Sequence, residues 1–158
     1  MPQFETRRRV RHCADDMFNL VADVENYPLF VPLCETLVVR ERVTTSTGQP
    51  AVIADMTVAY KLFRETFTSR ATMNREQRMI TAEYLDGPFS HMYNKWAFQA
   101  VNDNTCNVTF AIDYAFKSRT LELLMGAMFD TAFRKFATAF EQRADVVYGT
   151  PSHTTPQA

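Results

Sequence analysis

SRTLELLMGAMFDTAFRKFATAFEQRADVVYG, residues 118–149, is the stretch that decides the fold. Leu121, Met125, Met128, Ala132, Phe136 and Phe140 recur at helical spacing, with Leu124, Phe129 and Phe133 beside them. Glu122, Asp130, Arg134, Lys135, Glu141 and Arg143 take the opposite side. A helix from about Ser118 to Val147 would be about 45 Å long, enough to cross a whole sheet. Ser118 suits its N-cap, Gly149 suits the residue after its last turn, and Pro151 closes the element. Gly126 sits inside this helix at a cost of about 1 kcal/mol relative to alanine. Close helix packing accounts for it, and so does room for a ligand beneath the helix.

The chain before this helix supplies the surface it must cover. Met92, Asn94, Trp96, Phe98 and Ala100 share one face of a strand, and Val108, Phe110, Ile112, Tyr114 and Phe116 share one face of the return strand. Asn102-Asp103-Asn104 between them is expected to turn through left-handed backbone geometry. Working back, Arg78 to Leu85, Phe63 to Ala71 and Val52 to Tyr60 alternate in the same way, and Cys34 to Thr44 ends in the hairpin signal Ser46-Thr47-Gly48. Phe4 to Val10 is a weaker strand with one polar face, suited to an edge. Ala14 to Val24 is a short amphipathic helix carrying Asp15 and Asp16 in its first turn. Tyr27 to Cys34 is apolar, yet its prolines forbid a long helix or a central strand. The order strand, short helices, about six antiparallel strands and one long helix defines an α+β fold, a curved antiparallel sheet wrapped around the C-terminal helix.

With 158 residues, Lys+Arg 17 against Asp+Glu 18 and a formal net charge of -1, the chain has room for about one domain and no broad basic surface for nucleic acid. Residues 1–149 are expected to form that domain and 150–158 a flexible tail. Thirteen Phe and eight Met supply large, deformable side chains that fill irregular space or line a cavity. Cys13, Cys34 and Cys106 form no Cys-x-x-Cys pair, so reduced thiols in a cytoplasmic compartment are expected. No apolar run approaches the ~20 residues of a spanning helix, which leaves only peripheral membrane contact.

The residues offer little to catalysis or metal binding. His12, His91 and His153 are far apart and belong to no ligand or nucleophile signature. Cys34 reads as a buried small hydrophobe. Gly48, Gly87 and Gly149 suit a hairpin, a loop and a helix end, so no phosphate-cradling loop is present. Two apolar connections, Leu85 to Phe89 and Tyr27 to Phe30, place aromatic residues on loops, where they cover an opening or an interaction surface. Flanking the same end of the long helix, they would form a gate.

The segment Val24-Glu25-Asn26-Tyr27-Pro28-Leu29-Phe30-Val31-Pro32-Leu33-Cys34 resembles the coenzyme Q-binding branch of the START-like, polyketide cyclase/lipid-transport superfamily. So do Phe67-Thr68-Ser69-Arg70, Gly87-Pro88-Phe89, Asn94-Lys95-Trp96-Ala97-Phe98, and Phe110 to Phe116 followed by the Met/Phe helix. The likeness covers nearly the whole chain and implies a helix-grip fold enclosing an apolar cavity. It further implies a lipid chaperone that binds ubiquinone or a polyprenylated precursor, without covalent cofactor or catalysis, and supports quinone synthesis and respiratory electron transport.

Carried onto this chain, the family's cavity puts Tyr27, Pro28 and Phe30 at the mouth with Phe89 opposite. Trp96, Phe98, Phe110, Tyr114 and Phe116 would be sheet walls, and Leu121, Leu124, Met125, Met128, Phe129 and Phe136 helix walls. The apolar tail would enter the cavity while the aromatic loops open at a bilayer, at the inner face of a respiratory membrane, with a quinone-synthesis or respiratory-chain partner receiving the lipid. The same branch includes ribosome-association toxins, which makes binding to a ribosomal subunit the main rival. A polyketide cyclase or aromatase ranks third, for want of an acid/base pair. No DNA partner is implied.

Overall fold

Period-two alternation, with large apolar residues on one side, builds seven strands that the computed structural model, which describes residues 3–149, joins into one antiparallel sheet. In chain order these are β1 Gln3–Val10, β2 Cys34–Thr44, β3 Pro50–Tyr60, β4 Phe63–Asn74, β5 Met79–Asp86, β6 Phe89–Asn102 and β7 Thr105–Phe116. Strands β2 to β7 form a meander, and β1 returns to pair with β7, giving the order β1-β7-β6-β5-β4-β3-β2. β1 and β2 are therefore the sheet edges. Between them in the chain lie α1 (Ala14–Ala22) and a 3-10 helix (Val24–Leu29). Pro28 is inside that short helix, and Leu33, held left-handed at φ 68°, turns the chain into β2.

The long helix, α2, runs Arg119–Tyr148. The Ser118 side chain accepts from the Leu121 N–H, and the Gly149 N–H, at φ 96°, donates to the Asp145 carbonyl. Both expected caps are thus in place. Met125, Phe129, Ala132, Phe133, Ala137, Phe140 and Ala144 are its buried residues, a stripe rotated slightly from the one read in the sequence. This stripe lies against the inner face of the sheet, where Met92, Trp96, Phe98, Val108, Phe110, Ile112 and Tyr114 are buried. α1 closes the remaining end, its Phe18 ring 6.0 Å from Phe98. Cys13 caps α1 through its sulfur, which accepts from the Asp16 N–H at 3.4 Å.

Three local expectations are corrected. Asn102-Asp103-Asn104 does not use left-handed backbone; Asn102 Oδ1 accepts from the Asn104 N–H at 2.8 Å and a bulge between Ala100 and Asn102 absorbs the bend. Gly126 is explained neither by close packing nor by a ligand space: a Cβ there would meet only Glu122 Cγ, at 3.8 Å. The two aromatic connections do not share an end of α2, as the ring contacts below show. The expected tail and Pro151 lie outside the described residues.

Gly87 is required by its surroundings. Its φ is 141°, and a Cβ would lie 2.6 Å from Phe67 Cβ and 2.9 Å from Phe67 Cα. Gly87→Ala should destabilise the fold by more than about 1–3 kcal/mol, the ordinary cost of such backbone strain. Gly126→Ala should stabilise it by about 0.5–1 kcal/mol. Urea midpoints of the two variants check both signs.

Candidate functional site

The inner face of the sheet changes character along its rungs. The rung Met73, Ile80, Trp96, Phe110 carries large side chains, and Trp96 and Phe110 of it meet Phe140 and Phe136 of α2. The next rung, Val52, Ala71, Ala82, Asn94, Ile112, has alanines on β4 and β5, and the one beyond it has Ala54 on β3 and Ser69 on β4. α2 crosses above these small residues without filling the space over them. A cavity of about 100 Å³ remains there.

Ala54, Ser69, Ala71 and Ala82 are its floor, with Phe129, Ala132, Phe133, Phe136 and Phe140 of α2 above. Val24, Tyr27, Pro32 and Leu33 form one side wall, and Leu37, Met56, Val58 and Phe67 continue it along β2, β3 and β4. Trp96, Phe110, Met92 and Ile112 complete the other side. An engineered apolar cavity of about 150 Å³ in another protein takes up benzene, so the room here is that of part of a substituted ring or a short prenyl segment.

Of the expected wall residues, Tyr27, Trp96, Phe110, Phe129 and Phe136 line the cavity. The others lie elsewhere. Phe89 is not at a mouth: it is wholly buried, stacked on Phe116 at 5.0 Å and edge-on to Phe67, Tyr84, Tyr114 and Phe129 at 5.5–6.0 Å. The close approach of Gly87 to Phe67 tucks it in. Phe30 backs the wall from outside, its ring 4.9 Å from that of Phe140, which lines the cavity, and 6.1 Å from Tyr27, with the Arg143 guanidinium over it. Pro28 sits in the 3-10 helix behind Tyr27.

Phe89 thus packs beside Phe129, whereas Phe30 packs beside Phe140, eleven residues further along α2. That spacing, about 16 Å of helix, separates the two connections and rules out a common gate built from them. Phe98 belongs to the α1 contact, and Tyr114 and Phe116 to the Phe89 cluster. Met125 is buried outside the cavity, Leu121 and Met128 pack at the core margin, and Leu124 points outward at 53% exposure. The helix turns these residues away from the floor because the buried stripe runs through Phe129 and Phe133.

The lining is nearly free of ionisable groups. The Tyr27 hydroxyl donates to the Val21 carbonyl, and burial raises its pKa well above the ordinary 10.0. Cys34, buried at the start of β2, has its thiol pushed up to about 11 by burial, and Cys106 beside β1 is pushed up to about 12 for the same cause. Both are packing groups, not nucleophiles at neutral pH. His12, 6% exposed, pairs through Nε2 with Asp145 at 2.7 Å, which ties the end of β1 to the last turns of α2. That pair lies outside the cavity lining.

The sequence reading missed large lining residues such as Leu37, Met56, Phe67, Phe133 and Phe140, and it missed all the small ones. Ala54, Ser69, Ala71 and Ala82 occupy inward positions of the strand alternation, and a run of small inward residues on three adjacent strands is the signal of a hollow.

A family model described as "Polyketide cyclase / dehydrase and lipid transport" matches residues 10–141, and the chain belongs to that family. Among curated relatives, "Ribosome association toxin RatA" of Escherichia coli K12 is 32% identical over 149 residues, covering 94% of this chain and 90% of the relative. "Coenzyme Q-binding protein COQ10 homolog B, mitochondrial" of Xenopus laevis is 29% identical, covering 85% of this chain and 54% of that protein. The 18 kDa protein CC1736 of Caulobacter crescentus, solved in solution, is 31% identical with a TM-score of 0.75, covering 95% of this chain and 100% of that one. The helix-grip, START-like fold expected from the sequence is the fold found, within a family branch whose relatives carry both coenzyme Q-binding and ribosome-association names.

Two outcomes follow for the site. Ala82→Leu adds apolar atoms to existing space, so the melting temperature should hold or rise; a fall of the size seen for overpacked cores, about 1–3 kcal/mol, would show the space to be filled already. The raised thiols stabilise the fold in their protonated form. Their contribution is whole below the ordinary thiol value of 9.0 and is lost as pH rises from there through about 11 to about 12. Urea midpoints should fall across that window, and less steeply in Cys106→Ala than in the parent.

Proposed function

We propose that the domain spanning residues 1–149 binds ubiquinone or a polyprenylated precursor in this cavity and carries it as a lipid chaperone in support of quinone synthesis and respiratory electron transport. The observation that carries the reading is the hollow itself: apolar walls around a small-residue floor, at the place where α2 crosses the sheet. The coenzyme Q-binding name of the Xenopus relative supports the ligand class. Binding without catalysis and without a covalent cofactor fits a lining whose one phenol is spent on a backbone carbonyl. A cavity of about 100 Å³ suits part of the ring or the first prenyl segment, so a long tail continues outside it.

Exchange with a bilayer is the natural source of such a lipid. Among the described residues no helix is long and apolar enough to cross a membrane. Peripheral contact would use the end of the sheet where the β3–β4 turn projects Leu62, 100% exposed, and where Leu123 and Leu124 of α2 are also uncovered. This replaces the Tyr27 and Phe89 gate. The protein would work in the cytoplasm at the inner face of a respiratory membrane and hand the lipid to a quinone-synthesis or respiratory-chain enzyme.

A second reading, association with a ribosomal subunit, is favoured by one specific observation: the E. coli relative bearing that name is matched over 90% of its length, against 54% for the Xenopus one. The charged surface weighs against an RNA face. Arg8, Arg42, Arg64, Arg70, Arg78 and Arg134 are each paired with a carboxylate of this chain.

Protein purified from its native host should release about one equivalent of a prenylated quinone or precursor on solvent extraction, identified by mass spectrometry. An empty protein that co-sediments with ribosomal subunits through a sucrose gradient would overturn the lipid reading in favour of the second.

A further inference from the structure

Two polar side chains besides Tyr27 reach the cavity, Ser69 on β4 and Asn94 on β6. Asn94 has Met92 and Trp96 as inward neighbours on its own strand, Ala82 across on β5 and Ile112 across on β7. Its surroundings are therefore apolar. The small side chains of Ala82 and Ala71, next along the same rung, leave the open space directly beside it.

The Asn94 amide has a fixed orientation. Nδ2 donates to the Ala111 carbonyl at 2.9 Å. A carbonyl oxygen only accepts, so the amide atom facing it must be nitrogen, and Oδ1 occupies the other branch. Among the described residues no donor meets Oδ1: the Tyr27 hydroxyl is given to the Val21 carbonyl, Ser69 makes no hydrogen bond to it, and the rest of the lining is hydrocarbon. Asn94 is half-buried, so Oδ1 faces the open space of the cavity, and a ligand hydroxyl entering there supplies the donor that the walls do not.

Resting on the reading that the cavity takes a prenylated ring, we propose that Asn94 Oδ1 accepts a hydrogen bond from a ring hydroxyl, so that the site prefers a quinol or a prenylated phenol to the oxidised quinone. A quinone presents only carbonyl and ether oxygens, all acceptors, and leaves Oδ1 unmatched. Its carbonyl can take the second amide N–H, so the preference is a ratio of affinities and not an exclusion. A quinol satisfies both amide atoms. The ring then lies over Ala71 and Ala82, and Asn94 is the residue that reads its oxidation state.

The test measures dissociation constants of short-tailed ubiquinol and ubiquinone, without oxygen, on the full chain and on Asn94→Leu, with circular dichroism to confirm folding. The unaltered chain should bind the quinol about tenfold tighter, the effect of one added hydrogen bond in a dry site. Asn94→Leu should hold both rings within about twofold of each other, losing mainly quinol affinity, since it removes the acceptor and keeps the branched shape. Asn94→Ala serves the same comparison should the leucine variant fail to fold. Equal affinities in the unaltered chain, or an undiminished ratio in the variants, would overturn the assignment. Failure of both rings to bind the unaltered chain would overturn the quinone reading itself, a result distinct from binding without preference.

Discussion

The structure depends on the fit of one long helix against a sheet of uneven depth. α2 brings Phe129, Phe133, Phe136 and Phe140 to the inner face, where Trp96 and Phe110 rise to meet them. Trp96 meets Phe140 at 4.8 Å and Phe110 meets Phe136 at 5.6 Å between ring centroids, and these two contacts set the height of the helix above the sheet. Where the floor drops to Ala54, Ser69, Ala71 and Ala82 the side chains of α2 do not reach it. The cavity is the space left between a helix that rests on Trp96 and Phe110 and a floor of small residues beside them.

The same constraint explains where polar chemistry is placed. Around the cavity, polar groups are spent on structure: Tyr27 on the Val21 carbonyl, Tyr84 as acceptor for the Phe89 N–H, the Asn94 amide nitrogen on Ala111. Charges are kept to the outer face and edges, in pairs such as Arg64 with Glu35 and Arg8 with Glu141. Such exposed pairs add little stability each. They leave the inner face largely apolar, which strengthens any hydrogen bond made to a ligand there.

The architecture was legible in the sequence because its signals were long. The 3.6-residue stripe of α2, the period-two alternation of β3 to β7 and the prolines of the 27–34 segment each repeat over many residues, and each gave its element within a few positions. The site was only partly legible, since size was taken as the mark of a wall. Large residues such as Phe89, Tyr114 and Met125 fill space and so remove it from a cavity, whereas alanines create it. Which of two aromatic neighbours lines the hollow turns on helix rotation: Phe129 faces in and Leu124 faces out, though both lay near the same stripe. The gate failed for a related reason, since chain order does not show that two loops lie at different heights along α2.

Trp96, the chain's single tryptophan, lies in the cavity wall and reports on occupancy without labelling. Quinones quench tryptophan on contact, so titration with short-tailed ubiquinone is the most direct measurement of whether the hollow is a binding site. The account predicts quenching that saturates at one equivalent and is lost when Ala82→Leu fills the floor. Quenching that rises linearly with quinone, as for free tryptophan, or that is indifferent to Ala82→Leu, would contradict it.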